Sequence, residues 1–179
     1  MLKKIGSFAL LFVLCALASC ARPVSSPSLT PPSRPVSASV EAARRLETRF
    51  SDALSRDGPF QIAVSEEELT SYLTIETDIG PLHDLRIWFT QQQVLFMARI
   101  DALGQHVLRA TLALGCKDGK LQIAFTSAEL DGKPIPRFVL ASLQKAINDA
   151  LTDAHLPMRV EQITWEEGRL ILEGMVPSS

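Results

Sequence analysis

Few residues in this sequence have the types and spacing that catalysis or metal binding requires. The densest group of carboxylates is the run Glu66-Glu67-Glu68, which directly follows Ser65. A serine followed three residues later by a glutamate is the capping box of a helix N-terminus, and the helix dipole favours carboxylates in the first turn. We therefore interpret the three glutamates as the start of a helix rather than as an acid–base or metal site.

The remaining polar residues do not form a catalytic set either. The three histidines, His83, His106 and His155, are far apart in sequence, and no serine lies in the Gly-x-Ser-x-Gly context of a nucleophile elbow. The net charge of −2 gives no bulk attraction for nucleic acid. The sequence therefore predicts a protein that is not an enzyme, carries no metal or other cofactor and has no nucleic-acid partner.

One cysteine lies in a pattern with a specific chemistry. Two lysines precede an apolar stretch over residues 5–17, and this stretch leads into Leu17-Ala18-Ser19-Cys20. Such an order is typical of an export signal, and the stretch is short for a membrane span. The last four residues resemble the bacterial lipobox, in which the cysteine is lipidated and becomes the mature N-terminus. The resemblance implies that residues 1–19 are a signal peptide; an ordinary secretory signal with a chance cysteine is the alternative.

The other cysteines and the following segment fit this interpretation. Cys15 leaves with the signal, so Cys116 is the one thiol left beside Cys20, no internal disulfide is possible, and we expect Cys116 to be buried. Residues 21–38 contain five prolines among small and polar residues. We expect residues 20–38 to be the lipidated cysteine with an extended tether, at most about 55 Å long and dispensable for folding. The folded domain is then predicted over residues 39–179.

Within that domain the pattern alternates between helical and strand periods. Ser39 begins a helix, a short strand follows at residues 60–64, and the capped helix begins at Ser65. From Asp84 onward, apolar residues recur at every second position, which is typical of strands. This pattern predicts a four-stranded antiparallel meander with a hairpin turn at Asp118-Gly119. A last hairpin is predicted over residues 158–176.

The longest amphipathic segment is a predicted helix over residues 137–154, entered through prolines and apolar at three- and four-residue spacing. This apolar face must pack against another part of the protein, and the predicted sheet is the only candidate. A second feature is the run Val94-Leu95-Phe96-Met97, which is apolar on both faces of a strand. In a sheet with one solvent-exposed face, apolar and polar residues should alternate along each strand. This strand is therefore either covered on both sides or faces something other than water.

The order of these elements resembles a known superfamily. A short helix at Val64-Ser65-Glu66-Glu67-Glu68-Leu69, a meander of long strands, an Asp-Gly-Lys-Pro-Ile-Pro entry to a long helix and a closing hairpin look like small bacterial members of the tubular lipid-binding superfamily. That superfamily includes bactericidal/permeability-increasing protein and the synaptotagmin-like mitochondrial lipid-binding domains. The resemblance implies an α+β fold in which a strongly curved antiparallel sheet, here of about six to seven strands, wraps around the long helix and leaves an apolar groove.

The resemblance also implies a function. We expect a lipoprotein anchored to the membrane through Cys20 that binds or transfers a phospholipid or similar amphiphile in the bacterial cell envelope. Ala21 after Cys20, by resemblance to known lipoproteins, favours the outer membrane in a two-membrane cell; with one membrane, the protein lies on the outer face of the cytoplasmic membrane. From the pattern alone, the candidate groove residues are apolar side chains of the meander and the long helix: Ile87, Phe89, Val94, Phe96, Ile100, Leu112, Phe125, Leu140, Leu143 and Ile147.

A different class of function fits the same pattern. The protein could be a non-catalytic interaction or scaffold module with a closed core that holds another envelope protein. The volume of any internal cavity distinguishes these two functions, because a closed core has few voids, whereas a lipid carrier needs a cavity of several hundred Å³.

Overall fold

The computed structural model describes residues 29–76, 82–90, 93–100, 105–153 and 158–178. The predicted signal peptide, Cys20 and His155 lie outside these residues. The described part contains the helices α1 (Val40–Leu54), α2 (Glu66–Ile75) and α3 (Arg137–Asp153). Its strands are β1 (Gly58–Ser65), β2 (Leu82–Thr90), β3 (Gln93–Ile100), β4 (His106–Lys117), β5 (Lys120–Leu130), β6 (Lys133–Pro134), β7 (Arg159–Glu166) and β8 (Arg169–Val176).

The strands form two antiparallel sheets, one with the order β1-β8-β7 and the other with the order β2-β3-β4-β5-β6. The α+β class, the meander from β2 to β5 and the closing hairpin β7–β8 are confirmed. The prediction of a single, strongly curved sheet is wrong, because β1 pairs with the C-terminal strand β8 and not with the meander. The N- and C-terminal strands thereby make a sheet of their own.

The main core contains side chains of both sheets together with Leu46 of α1. Alternate residues of β1 and β8 meet alternate residues of β2 and β3, as the period of two requires. Between the sheets, the rings of Phe89 and Trp165 meet edge to face with their centroids 6.5 Å apart. The buried strand residues of this core are Phe60, Ile62, Val64, Leu85, Ile87, Phe89, Val94, Ala98, Val160, Leu170, Leu172 and Val176.

The predicted caps of α1 and α2 are confirmed. The Ser39 hydroxyl accepts the N–H of Ala42 at the start of α1. At α2, both bonds of the capping box between Ser65 and Glu68 are present. These caps pair backbone N–H groups that the first turn of a helix otherwise leaves without acceptors. They thereby specify the residue at which each helix begins.

The helix α3 forms where predicted, but the sheet does not wrap it. The core is already filled by strand side chains, and α3 lies along β5 instead. Much of its apolar face is therefore open: Phe138 is 74% exposed and Leu143 is 45% exposed. The prediction that the sheet buries this face was wrong, because periodicity shows which side of a helix is apolar but not what covers it.

Two side-chain amides attach α3 to the outer edge of β5. The N–H of Phe125 donates to Gln144 Oε1 at 3.1 Å, and the N–H of Ile123 donates to Asn148 Oδ1 at 2.9 Å. Asn148 Nδ2 also donates to the carbonyl of Ile123 at 2.9 Å. The short strand β6 pairs only with residues 129 and 130 of β5, so the amides take the place of a neighbouring strand farther along this edge.

We expect Asn148→Ala to lower the free energy of unfolding by about 1–3 kcal/mol, because it leaves two backbone groups of β5 without partners. Ser142→Ala is the matched control, since the Ser142 hydroxyl bonds only within α3, to the carbonyl of Phe138. Denaturant unfolding measures both variants. Equal stability of the two would show that the amide does not hold the helix to the sheet.

The segment assigned to the tether packs on the domain from residue 29 onward. Val36, 9% exposed, forms a second apolar cluster with Trp88 and Leu95, and Leu29 and Met97 pack against it. Trp88 and Leu95 lie on the face of β2 and β3 opposite the main core. The run Val94–Met97 is thus apolar on both faces because the protein covers both.

Polar contacts fix the same segment. The Arg34 guanidinium donates through Nε and Nη2 to the two carboxylate oxygens of Glu66, at 2.8 and 2.5 Å, and Nη2 also donates to the carbonyl of Phe89 at 2.8 Å. The indole N–H of Trp88 donates to the carbonyl of Arg34 at 3.1 Å. Residues 29–38 are therefore part of the folded domain, which begins at least ten residues before the predicted start at Ser39.

Candidate functional site

The groove residues predicted on the strands belong mainly to the closed core. Ile87, Phe89 and Val94 are buried in it, and Phe96 and Leu112 pack against it. Side chains of both sheets and of α1 pack together in this cluster. These five residues therefore belong to the core or pack against it.

The other predicted groove residues lie elsewhere and are more accessible. Ile100, Phe125, Leu140 and Ile147 are half-buried, and Leu143 is exposed. Phe125 is close to α3, since its backbone N–H bonds to Gln144. The structure therefore does not bring the ten predicted residues together in one groove.

A cleft of about 390 Å³ does lie at one end of the domain. Its apolar walls come from α1, the start of β5, the chain around the start of β7, and β8: Phe50, Leu121, Met158, Val160 and Leu172. Its polar lining is Asp118, Gly119, Lys120, Thr152 and Arg159. None of these residues was among the predicted groove residues, because they come from separate parts of the chain and share no local pattern.

The cleft exists because β4 and β5 extend past the core. Residues 115–117 at the end of β4 are exposed, including Cys116, which we expected to be buried. The predicted turn at Asp118-Gly119 is confirmed, and both of its residues have positive φ, 56° and 77°. The carbonyl of Gly119 accepts the N–H of Val160 at 2.8 Å, so the hairpin tip is tied to β7 and forms one side of the cleft.

Two of the three consecutive glutamates, Glu66 and Glu68, are buried and paired with arginines of other segments. The Glu66 carboxylate accepts the N–H of Phe89 at 2.6 Å in addition to the Arg34 bonds. Glu68 is paired with Arg49 at 3.0 Å. Burial raises the pKa of Glu68, but the hydrogen bonds from Arg49 and from the Ser65 backbone outweigh it, so this pKa lies below its ordinary value. The partners Arg34 and Arg49 are distant in sequence, and no local pattern indicates them.

One histidine and one carboxylate meet at the surface. His106 Nδ1 lies 2.5 Å from an oxygen of Asp131, whose other oxygen accepts the N–H of Val107 at 2.8 Å. The backbone bond from Val107 and the bond with His106 lower the pKa of Asp131. Asp131 has a φ of 50° at the β5–β6 turn, so this pair ties the turn to β4.

The described residues contain no group of three or more histidine, cysteine or acidic side chains that could hold a metal ion. No helix among them is long and apolar enough to cross a membrane. In comparisons with known proteins, no family model, no curated protein and no solved structure matches this chain, so the superfamily resemblance stays a prediction.

Proposed function

We propose that this protein is a non-catalytic lipoprotein of the bacterial cell envelope that binds one acyl chain of an amphiphile in the cleft between the β4–β5 turn, α1 and the β7–β8 hairpin. The observation that carries the proposal is the cleft itself. Its volume of about 390 Å³ lies in the range of small-molecule sites, about 300–1,000 Å³, and its walls are mainly apolar. The lipobox-like pattern at Cys20 and the order of the elements support the same function.

The size of the cleft favours a single chain. A methylene group occupies roughly the volume of a water molecule, about 30 Å³, so the space accommodates about a dozen carbons. Burial contributes about 0.8 kcal/mol for each methylene removed from water. A partly buried acyl chain of this length therefore contributes substantially to the binding free energy. The second acyl chain of a phospholipid would remain outside the cleft.

The short distance between Cys20 and the domain keeps the cleft close to the membrane, which supplies the amphiphile. Residues 29–38 pack on the domain. At about 3.1 Å per residue, a chain of the length of residues 21–28 reaches at most about 25 Å, roughly half of the reach predicted for the whole proline-rich segment. The domain is then held at the membrane surface, where amphiphiles are concentrated.

We expect Leu121→Glu to abolish co-purification of an amphiphile while the protein stays folded. Leu121 is a half-buried residue of the cleft wall, so a carboxylate placed there can reach water but opposes an acyl chain. The protein is produced from Ala21 onward behind a cleavable secretory signal, which retains every described residue. Mass spectrometry identifies bound lipid, and thermal unfolding reports the fold.

Leu143→Glu is the matched control, because Leu143 is exposed on α3 and does not line the cleft. It should keep both the fold and the amphiphile. Loss of amphiphile in Leu143→Glu but not in Leu121→Glu would contradict the cleft as the binding site.

The interaction module is the second candidate function, and the open face of α3 supports it. Phe138, Val139 and Leu143 present exposed apolar surface on one helix. Surfaces of this kind mark interaction sites when they are contiguous. A wild-type protein that never yields an amphiphile, together with two folded variants, would favour this candidate over lipid binding.

A further inference from the structure

We propose that the amphiphile carries an anionic headgroup, a carboxylate or a phosphate, that Lys120 and Arg159 bind at the mouth of the cleft. This inference rests on the proposed function and adds the chemical class of the ligand. An apolar cleft alone would accept any chain of suitable length, so the charges at its mouth decide which amphiphiles bind.

Both cations are available to a ligand. Lys120 and Arg159 line the cleft and are exposed. Within residues 29–76, 82–90, 93–100, 105–153 and 158–178, neither side chain forms a hydrogen bond or an ion pair. By contrast, Arg34 and Arg49 are held by glutamates of α2. In the part of the chain that the structure describes, the two cleft cations therefore have no partner that a ligand would first have to displace.

The Arg159 side chain packs on Gly119, the residue that precedes Lys120. A Cβ atom added at Gly119 would lie 2.9 Å from Arg159 Nε and 3.2 Å from Arg159 Cβ, so the arginine side chain packs directly over this glycine. The φ of 77° at Gly119 also favours glycine. Packing on the turn limits the rotamers of Arg159, and a partly ordered guanidinium loses less entropy when it binds an oxyanion.

The balance of charge at the mouth is positive. Among the described residues that line the cleft, Asp118 is the one carboxylate, against the two cations, and Lys117 adds a further exposed cation at the end of β4. A carboxylate or phosphate can accept two parallel bonds from a guanidinium and a third from an ammonium. A neutral headgroup gains less from these donors, and a cationic one is repelled.

The test compares ligands that share a ten-carbon chain and differ in the headgroup. Decanoate, decyl phosphate and 1-decanol are titrated by calorimetry, below their aggregation limits, into the protein that begins at Ala21. We expect both anions to bind about tenfold or more tightly than decanol, because charge-assisted hydrogen bonds are stronger than neutral ones. Added salt should weaken the binding of the anions and leave decanol unchanged.

The double variant Lys120→Gln/Arg159→Gln should lower the affinity for both anions about tenfold and leave the affinity for decanol unchanged. Arg44→Gln/Lys133→Gln is the control, since it removes two exposed cations that do not line the cleft. The tighter of the two anions then distinguishes a carboxylate from a phosphate headgroup. Equal binding of decanol and the anions would overturn this inference and leave the proposed function intact, whereas a wild type that binds none of the three ligands would overturn both.

Discussion

A chain that begins at Ser39 will unfold far below the temperature at which a chain that begins at Ala21 unfolds. Deletion of residues 29–38 removes Val36 from Trp88 and Leu95, which are 3% and 2% exposed when covered. It also removes Arg34 and leaves the buried carboxylate of Glu66 without its cation. Removal of one partner of a fully buried ion pair costs about 3–5 kcal/mol. The cost here is smaller because Arg34 is 30% exposed, and the lost apolar burial adds to it.

The matched control is a chain that begins at Leu29, which keeps every contact of the segment and should unfold with the chain from Ala21. Two single variants separate the contributions. Arg34→Ala removes the ion pair, and Val36→Ser removes the apolar cover of Trp88. If the chain from Ser39 unfolds at the same temperature as the longer chains, the contacts of residues 29–38 contribute nothing to stability and the segment is only a tether.

Replacement of Cys20 by serine will abolish lipid labelling of the protein in bacteria and leave an unprocessed precursor. The lipobox-like pattern at Leu17-Ala18-Ser19-Cys20 predicts that this thiol carries the lipid, and serine cannot form the thioether. Two or more chains hold a protein stably in a bilayer, so wild type should be found in the membrane fraction. Metabolic labelling with an alkyne fatty acid, followed by gel analysis, measures the effect.

Cys116→Ser is the control, because Cys116 is a free thiol at the end of β4, far along the chain from the predicted signal. It should label and fractionate like wild type. Normal labelling of Cys20→Ser would refute the anchor, and loss of labelling in Cys116→Ser would show that the label reports a different thiol.

Local features of this fold were predictable because neighbouring residues determine them. Ser65 and Glu68 are three residues apart and specify the start of α2 by themselves. Asp118 and Gly119 tolerate the positive φ that a two-residue hairpin requires, so they specify the turn between β4 and β5. In each case the physical cause lies within a few positions of its effect.

The arrangement of these elements was not predictable in the same way. The pairing of β1 with β8 joins residues from opposite ends of the domain, and nothing in the period of β1 selects that partner. For α3 one signal was present: Gln144 and Asn148 are four residues apart, so their amides lie on one side of the helix and can reach a strand edge. The apolar stripe beside them gave the stronger pattern and led to the wrong prediction of burial.

The candidate site was the least predictable part. Its apolar walls combine Phe50, Leu121 and Leu172, which three different elements bring together at one end of the domain. Each of them looks like an ordinary core residue in its own segment. Likewise, a proline-rich composition gave no sign that Arg34 and Val36 have partners on β2 and α2.

Photo-crosslinking is the most direct test of the amphiphile-binding cleft. A decanoate analogue with a diazirine at the end of its chain is bound to the protein that begins at Ala21, irradiated, and the modified residues are mapped by peptide mass spectrometry. The cleft predicts modification at Phe50, Leu121 and residues 158–160, prevented by excess decanoate. Modification confined to the exposed apolar residues of α3, or a pattern that decanoate does not compete, would contradict the cleft as the binding site.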